Sequence, residues 1–150
     1  NRPDATAETI VDGWLHTGDI AYLDEDNFVY IVDRAKDMVL RGGENVYCAE
    51  VESAIFDHDD VAECVVFGVA DDRLGEEVGA CIVPKPGASL TAEAIREHCM
   101  ALIAKHKVPR YIKFTDSFPM TVTGKIRKVE MRKLSIEELG LEQVAKTQMA

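Results

Sequence analysis

The sequence predicts an α+β fold, with a short mixed sheet flanked by helices and preceded by a β-hairpin. Three observations carry that expectation. The apolar runs "VAECVVFGV" (61–69) and "VGACIVP" (78–84) have the length and β-branched content of buried strands. Helical spacing appears on either side of them, after Ala49 and again after Thr91. The first 32 residues read as strand and turn instead, so the chain opens with a β-rich leader.

In chain order, "NRPDATAETIVD" is polar with room for one short helix. "IAYL" (20–23) and "FVYIV" (28–32) form the hairpin, joined by "DEDN", whose Asx side chains suit a turn. A short apolar run from Met38 to Leu40 ends at Gly42-Gly43, where the backbone can take positive φ or approach a ligand closely. From Ala49, Val51, Ala54 and Ile55 make a helical stripe, with Glu50 and Glu52 near the favourable N-terminal dipole. The two buried strands follow, separated by the charged loop "DDRLGEE" (71–77). Thr91 is expected to cap a helix carrying Ile95, Cys99, Leu102 and Ile103 on one side. Val108-Pro109 ends that element, "YIKF" (111–114) is a short strand, and 128–134 a last helix. The order is β-β, loop, β, α, β, β, α, β, α. One hairpin is marginal in water, so the leader is expected to belong to a larger sheet outside this chain. The expected domains are residues 1–33 as the end of that larger unit, 34–136 as the self-contained module, and 137–150 as a tail.

Composition narrows the function. With 47% hydrophobic and 29% charged residues, the chain is an ordinary globular protein, and no run of 18 apolar residues suggests a transmembrane segment. It starts at Asn1 without a methionine and is expected to be a piece of something longer. Cys48, Cys64, Cys81 and Cys99 lie 16 to 18 residues apart and form no metal-ligand spacing. Buried free thiols at Cys64 and Cys81, which sit in apolar runs, and a reducing, cytoplasmic setting are the expectation, with no metal site. The even number of cysteines leaves a disulfide open. A net charge of −10 argues against nucleic acid as partner. Yet residues 105–133 hold nine of the 17 Lys and Arg against only Asp116 and Glu130, a local +7 that leaves −17 elsewhere. Such a patch suits a local anionic ligand, or merely a solvated face opposing the acidic remainder.

"MTVTGKIRK" (120–128) raises the question of phosphate. A Walker loop needs G-x-x-x-x-G-K-[ST]. Pro119 stands where the first glycine belongs and Ile126 where the hydroxyl belongs, so the stretch is not that loop.

Three stretches, "GWLHTGD" (13–19), "DRAKDMVLRGGENV" (33–46) and "PMTVTGKIRK" (119–128), occur in one order. Together they resemble successive signatures of the acyl-adenylate-forming enzymes, and most closely the C-terminal region of medium- and long-chain fatty acyl-CoA synthetases. The resemblance implies a small C-terminal lid domain and a two-step reaction. Carboxylate and ATP give acyl-AMP and pyrophosphate, and the thiol of coenzyme A then displaces AMP. It further implies ATP, Mg2+, coenzyme A and a fatty acid as ligands of the intact enzyme, with a large N-terminal domain as partner. By the same resemblance Lys125 is the catalytic lysine that meets the carboxylate and the α-phosphate, Gly124 giving its loop mobility. Asp19 grips the ribose hydroxyls, Arg34 contacts the nucleotide and Lys36 is the hinge. Gly42 and Gly43 line the pantetheine tunnel. Cys48 replaces the family's usual proline, which should loosen a turn, and Asn27 replaces a glycine where left-handed backbone is needed. No phosphate loop of the "SGTTGxPK" type is present, so the chain alone is expected to be inactive. Two alternatives stay open: a lid that loads a carrier protein, and a stand-alone binding domain without catalysis.

Overall fold

The computed structural model describes residues 2–138 and Gly140. The expected tail therefore lies, from residue 141 onward, outside the described residues. Contacts divide the chain into two units, Asn1–Lys36 and Asp37–Ala150.

The first unit is built of local pieces. Helix α1 (Pro3–Thr9) starts with proline at its first turn, where the missing N–H costs nothing. Strands β1 (Ile10–Val11) and β2 (Trp14–Leu15) pair antiparallel around Asp12-Gly13, both at positive φ. This hairpin was not expected. β3 (Asp19–Leu23) and β4 (Val29–Arg34) form the expected one, with Tyr22 stacked on Tyr30 across the ladder. At its turn the Asp24 carboxylate accepts the N–H of Asp26 and of Phe28, and Asn27 takes φ 64°.

The second unit holds a five-stranded mixed sheet. β5 (Val39–Arg41) and β6 (Glu44–Val46) make a hairpin through Gly42-Gly43, where the sequence suggested only the end of a strand. Helix α2 (Cys48–Phe56) follows, with Cys48, Val51, Ala54 and Ile55 buried. β7 (Val61–Asp71) and β8 (Gly75–Pro84) pair antiparallel along their whole length. The segment read as a seven-residue charged loop is therefore mostly strand, and only residues 72–74 turn. Helix α3 (Ala92–Leu102) is capped by Thr91, whose Oγ1 accepts the N–H of Ala94. Ile95 and Cys99 face inward as expected, whereas Leu102, at the helix end, is half exposed. A single 3-10 turn (Lys105–Lys107) leads to β9 (Tyr111–Phe114), which pairs parallel to β8 and makes the sheet mixed. Helix α4 (Lys128–Glu138) runs one turn beyond the expected end.

Alternation along β7 and β8 sends side chains to two cores. Val66, Val78, Ala80 and Ile82 pack with Val51, Ile55, Ile95 and Cys99 from α2 and α3. Val65, Phe67, Val69 and Cys81 pack on the opposite face with Phe118 and Met131 of α4. Burial on both faces explains why these strands read as continuous apolar runs rather than as alternation.

Candidate functional site

Asp19 and Arg34 are cross-strand partners at the open end of the β3–β4 hairpin. Their side chains meet at 3.5 Å between Arg34 Nε and Asp19 Oδ1, both exposed to solvent at least in part. The backbone N–H of Arg34 also donates to Asp33 Oδ1. A carboxylate and a guanidinium side by side offer one acceptor for a diol and one donor fork for ribose or phosphate oxygens. Lys36 stands exposed in the turn over residues 35–37 and is the last residue of the first unit.

Gly42 and Gly43 take φ +60° and +88° in the two-residue turn between Arg41 and Glu44. A type I′ hairpin turn requires positive φ at both central positions, and Gly-Gly satisfies it without strain. A Cβ at Gly42 would come within 3.1 Å of Leu74 Cδ2, while Gly43 faces open space. The turn is tied to the β7–β8 hairpin, since Gly42 N–H donates to Leu74 O at 2.8 Å. Arg41 donates to both oxygens of Glu77, at 2.6 and 3.0 Å, and Arg110 adds a third contact at 3.2 Å. Glu77 is 1% exposed, so these arginines supply the charge that makes its burial tolerable. In return Glu77 holds the Arg41 guanidinium above its ordinary value. Beside the turn lies an open groove of about 510 Å³ lined by Arg41, Gly42, Glu44, Leu74, Lys105 and His106.

Lys125 sits on a turn of its own. Met120 and Ile126 form an isolated antiparallel bridge. Thr121 N–H donates to Lys125 O at 2.8 Å, and Gly124 N–H to Thr121 O at 3.0 Å. Gly124 has φ +76°, and a Cβ there would meet nothing within 4 Å. Glycine thus suits the left-handed backbone at this position.

Most of the basic segment is already spent. Lys107 pairs with Glu50, Arg110 with Asp71 and Glu77, Lys113 with Glu138, Arg127 with Glu130, Lys128 with Glu52 and Arg132 with Glu76. Among the described residues Lys105, Lys125 and Lys133 make no ion pair. Burial alone would lower the Lys128 ammonium, but the hydrogen bond and charge of Glu52 outweigh it and hold it above its ordinary value. The patch is thus chiefly a face that answers the acidic remainder, with Lys125 projecting from it.

Sequence reasoning missed Glu77, the β5–β6 hairpin and the bonding of Thr121. Cys48 departs from its expectation too: it is fully buried at the start of α2, its thiol donating to Asp37 O at 2.8 Å, so it ties the turn down. None of the four cysteines is in a disulfide.

Residues 50–125 match the family described as "AMP-binding enzyme C-terminal domain". The chain is 47% identical over 141 residues to the mitochondrial medium-chain acyl-CoA ligase ACSF2 of Mus musculus, covering 93% of this chain and 23% of that protein. It is 42% identical over 134 residues to 2-succinylbenzoate–CoA ligase of Geobacillus sp. (strain WCH70), covering 89% and 27%. Among solved structures, the Mycobacterium tuberculosis fatty acyl CoA synthetase superposes with TM-score 0.69 at 40% identity, over 89% of this chain and 26% of that one. The chain spans about a quarter of the length of the curated relatives it matches.

Proposed function

This chain belongs to the family of AMP-binding enzyme C-terminal domains, and from that premise we propose that it is the lid of an AMP-forming fatty acyl-CoA synthetase. In the first step a carboxylate oxygen attacks the α-phosphorus of ATP and pyrophosphate leaves. In the second the sulfur of coenzyme A attacks the acyl carbonyl and AMP leaves. Two anions approach each other in the first step, and the Lys125 ammonium bridges them. Asp19 and Arg34 hold the ribose and its neighbouring oxygens, Lys36 is the pivot between steps, and the Gly42-Gly43 turn lets the pantetheine arm pass. Lys105 and His106, in the groove beside that turn, face the phosphates of coenzyme A. A fatty acid is favoured as the carboxylate because a medium-chain acyl-CoA ligase and a fatty acyl CoA synthetase are among the similar proteins. Any Mg2+ comes with the nucleotide.

The observation that carries this reading is Lys125 itself. Its backbone is fixed in a bonded turn, while its ammonium has no ion pair among the described residues although most neighbouring cations do. Lys105 and Lys133 make no ion pair among the described residues either, but neither lies in one of the three stretches that resemble the family's signatures. The partner is a larger adenylating domain, without which the 150 residues are inactive. Support comes from the first unit, where no residue from 2 to 36 is buried and Trp14, Leu15, Phe28 and Ile31 are each at least 65% exposed.

In the full-length enzyme Lys125→Ala should cut adenylate formation by about 10²–10³-fold, the usual scale for losing one preorganised electrostatic contact. Thioester formation from supplied acyl-AMP should stay nearly intact. An equal fall in both half-reactions would refute this division of labour.

A further inference from the structure

We propose that the Thr121 hydroxyl is a positioning group for Lys125, setting the lysine's backbone before substrate arrives. The inference rests on the adenylating role given to Lys125 above. Thr121 Oγ1 accepts the backbone N–H of Lys125 at 3.1 Å and lies 2.9 Å from Thr123 Oγ1. Having accepted from Lys125, it can still donate its own proton to Thr123 or accept a second one. The backbone of the same threonine binds the other polar group of Lys125, through Thr121 N–H to Lys125 O at 2.8 Å. Both main-chain groups of the lysine are therefore held by one residue.

The flanks close the same ring. Thr121 O accepts Gly124 N–H at 3.0 Å, and Arg127 N–H donates to Pro119 O at 2.9 Å, outside the Met120–Ile126 bridge. Every residue from 121 to 125 is exposed, so packing holds none of them. Hydrogen bonds and the left-handed Gly124 give this turn its shape, and the hydroxyl supplies the bond that reaches the lysine's N–H. A charge placed before the reaction need not be reorganised during it, which is why supporting hydrogen bonds to a catalytic side chain show up in rate.

Without the hydroxyl, Lys125 N–H turns to water and the turn samples other shapes. The chain loses little stability, because the site is exposed. Thr121→Val, which keeps the β-branched shape, should lower the turnover of adenylate formation about tenfold, read as ATP–pyrophosphate exchange in the full-length enzyme. KM for ATP and for the carboxylate should hold within about twofold. Thioester formation from supplied acyl-AMP should not change, the melting temperature should not move, and Thr121→Ser should restore the rate. In a Lys125→Ala background, Thr121→Val should make no further difference, since there is no ammonium left to position. Equal loss in both half-reactions, failure of serine to rescue, or an effect that multiplies with Lys125→Ala would overturn the proposal. If Lys125→Ala alone leaves exchange intact, the role of Lys125 is wrong. If that variant is dead while Thr121→Val exchanges normally, only the positioning role is wrong.

Discussion

Burial pushes the Cys64 thiol up to about 12 and the Cys99 thiol up to about 11, from an ordinary 9.0. A thiol held protonated is neither nucleophile nor metal ligand, so these cysteines act as small apolar side chains between sheet and helices. The same shifts set a pH dependence. A raised value in the folded state contributes stability that is complete below the unfolded thiol's value. It is lost as pH rises toward the folded value, because the unfolded chain sheds protons that the folded one keeps. Stability should therefore fall above about pH 9. Urea midpoints at pH 7, 9 and 10.5 for the chain and for Cys99→Ala check the point. The variant is less stable at pH 7 because of its cavity, and its deficit should narrow as pH rises. A constant gap would show that Cys99 is not the group responsible.

The β5–β6 and β7–β8 hairpins are joined by Glu77, and the asymmetry of that junction is testable. The Glu77 side chain is 2% exposed, while the Arg41 side chain is 26% and the Arg110 side chain 53% exposed. Removing the acid lets both arginines turn toward water. Removing Arg41 instead leaves a buried carboxylate with one partial partner. Arg41→Met should therefore cost more, about 2–3 kcal/mol, than Glu77→Gln, at about 1 kcal/mol, in urea unfolding. The reverse order would mean that the pair is worth no more than the packing of its stems. None of this was legible beforehand. "DDRLGEE" carries five charges in seven residues, which locally means loop, and its partner arginine sits 36 residues away. The apolar stretches 61–69 and 78–84, the α2 stripe and the Thr91 cap were legible because each rests on neighbours in sequence. The short hairpins were not, although Asp12-Gly13 and Gly42-Gly43 carry the right turn chemistry, because strands of two or three residues show no alternation. At the site, Asp19 and Arg34 could be named from motifs, but only the β3–β4 register puts them together.

The two units differ in what holds them. Every buried hydrophobic residue from Val39 to Met131 belongs to the second, and the described residues of the first contribute none. Ordering a backbone costs roughly 1–2 kcal/mol per residue, and the first unit offsets this with local bonds, the Asp19–Arg34 pair and a stacked tyrosine pair rather than with a buried core. Trp14, Leu15, Phe28 and Ile31 are 65% to 76% exposed, and the proposed larger domain would cover them. The 150-residue chain alone should then be protected unevenly. Brief trypsin treatment should cut first at Arg34 and Lys36, leaving a resistant product that begins at Ala35 or Asp37. That product should unfold in one cooperative transition with nearly the midpoint of the uncut chain, because the removed residues contribute no core. If the proposed larger domain covers those apolar side chains, the same bonds should be cut far more slowly in the full-length enzyme. Equal resistance of Arg34 in both proteins would mean that the leader is stable by itself, and the proposed larger domain would lose its main physical support.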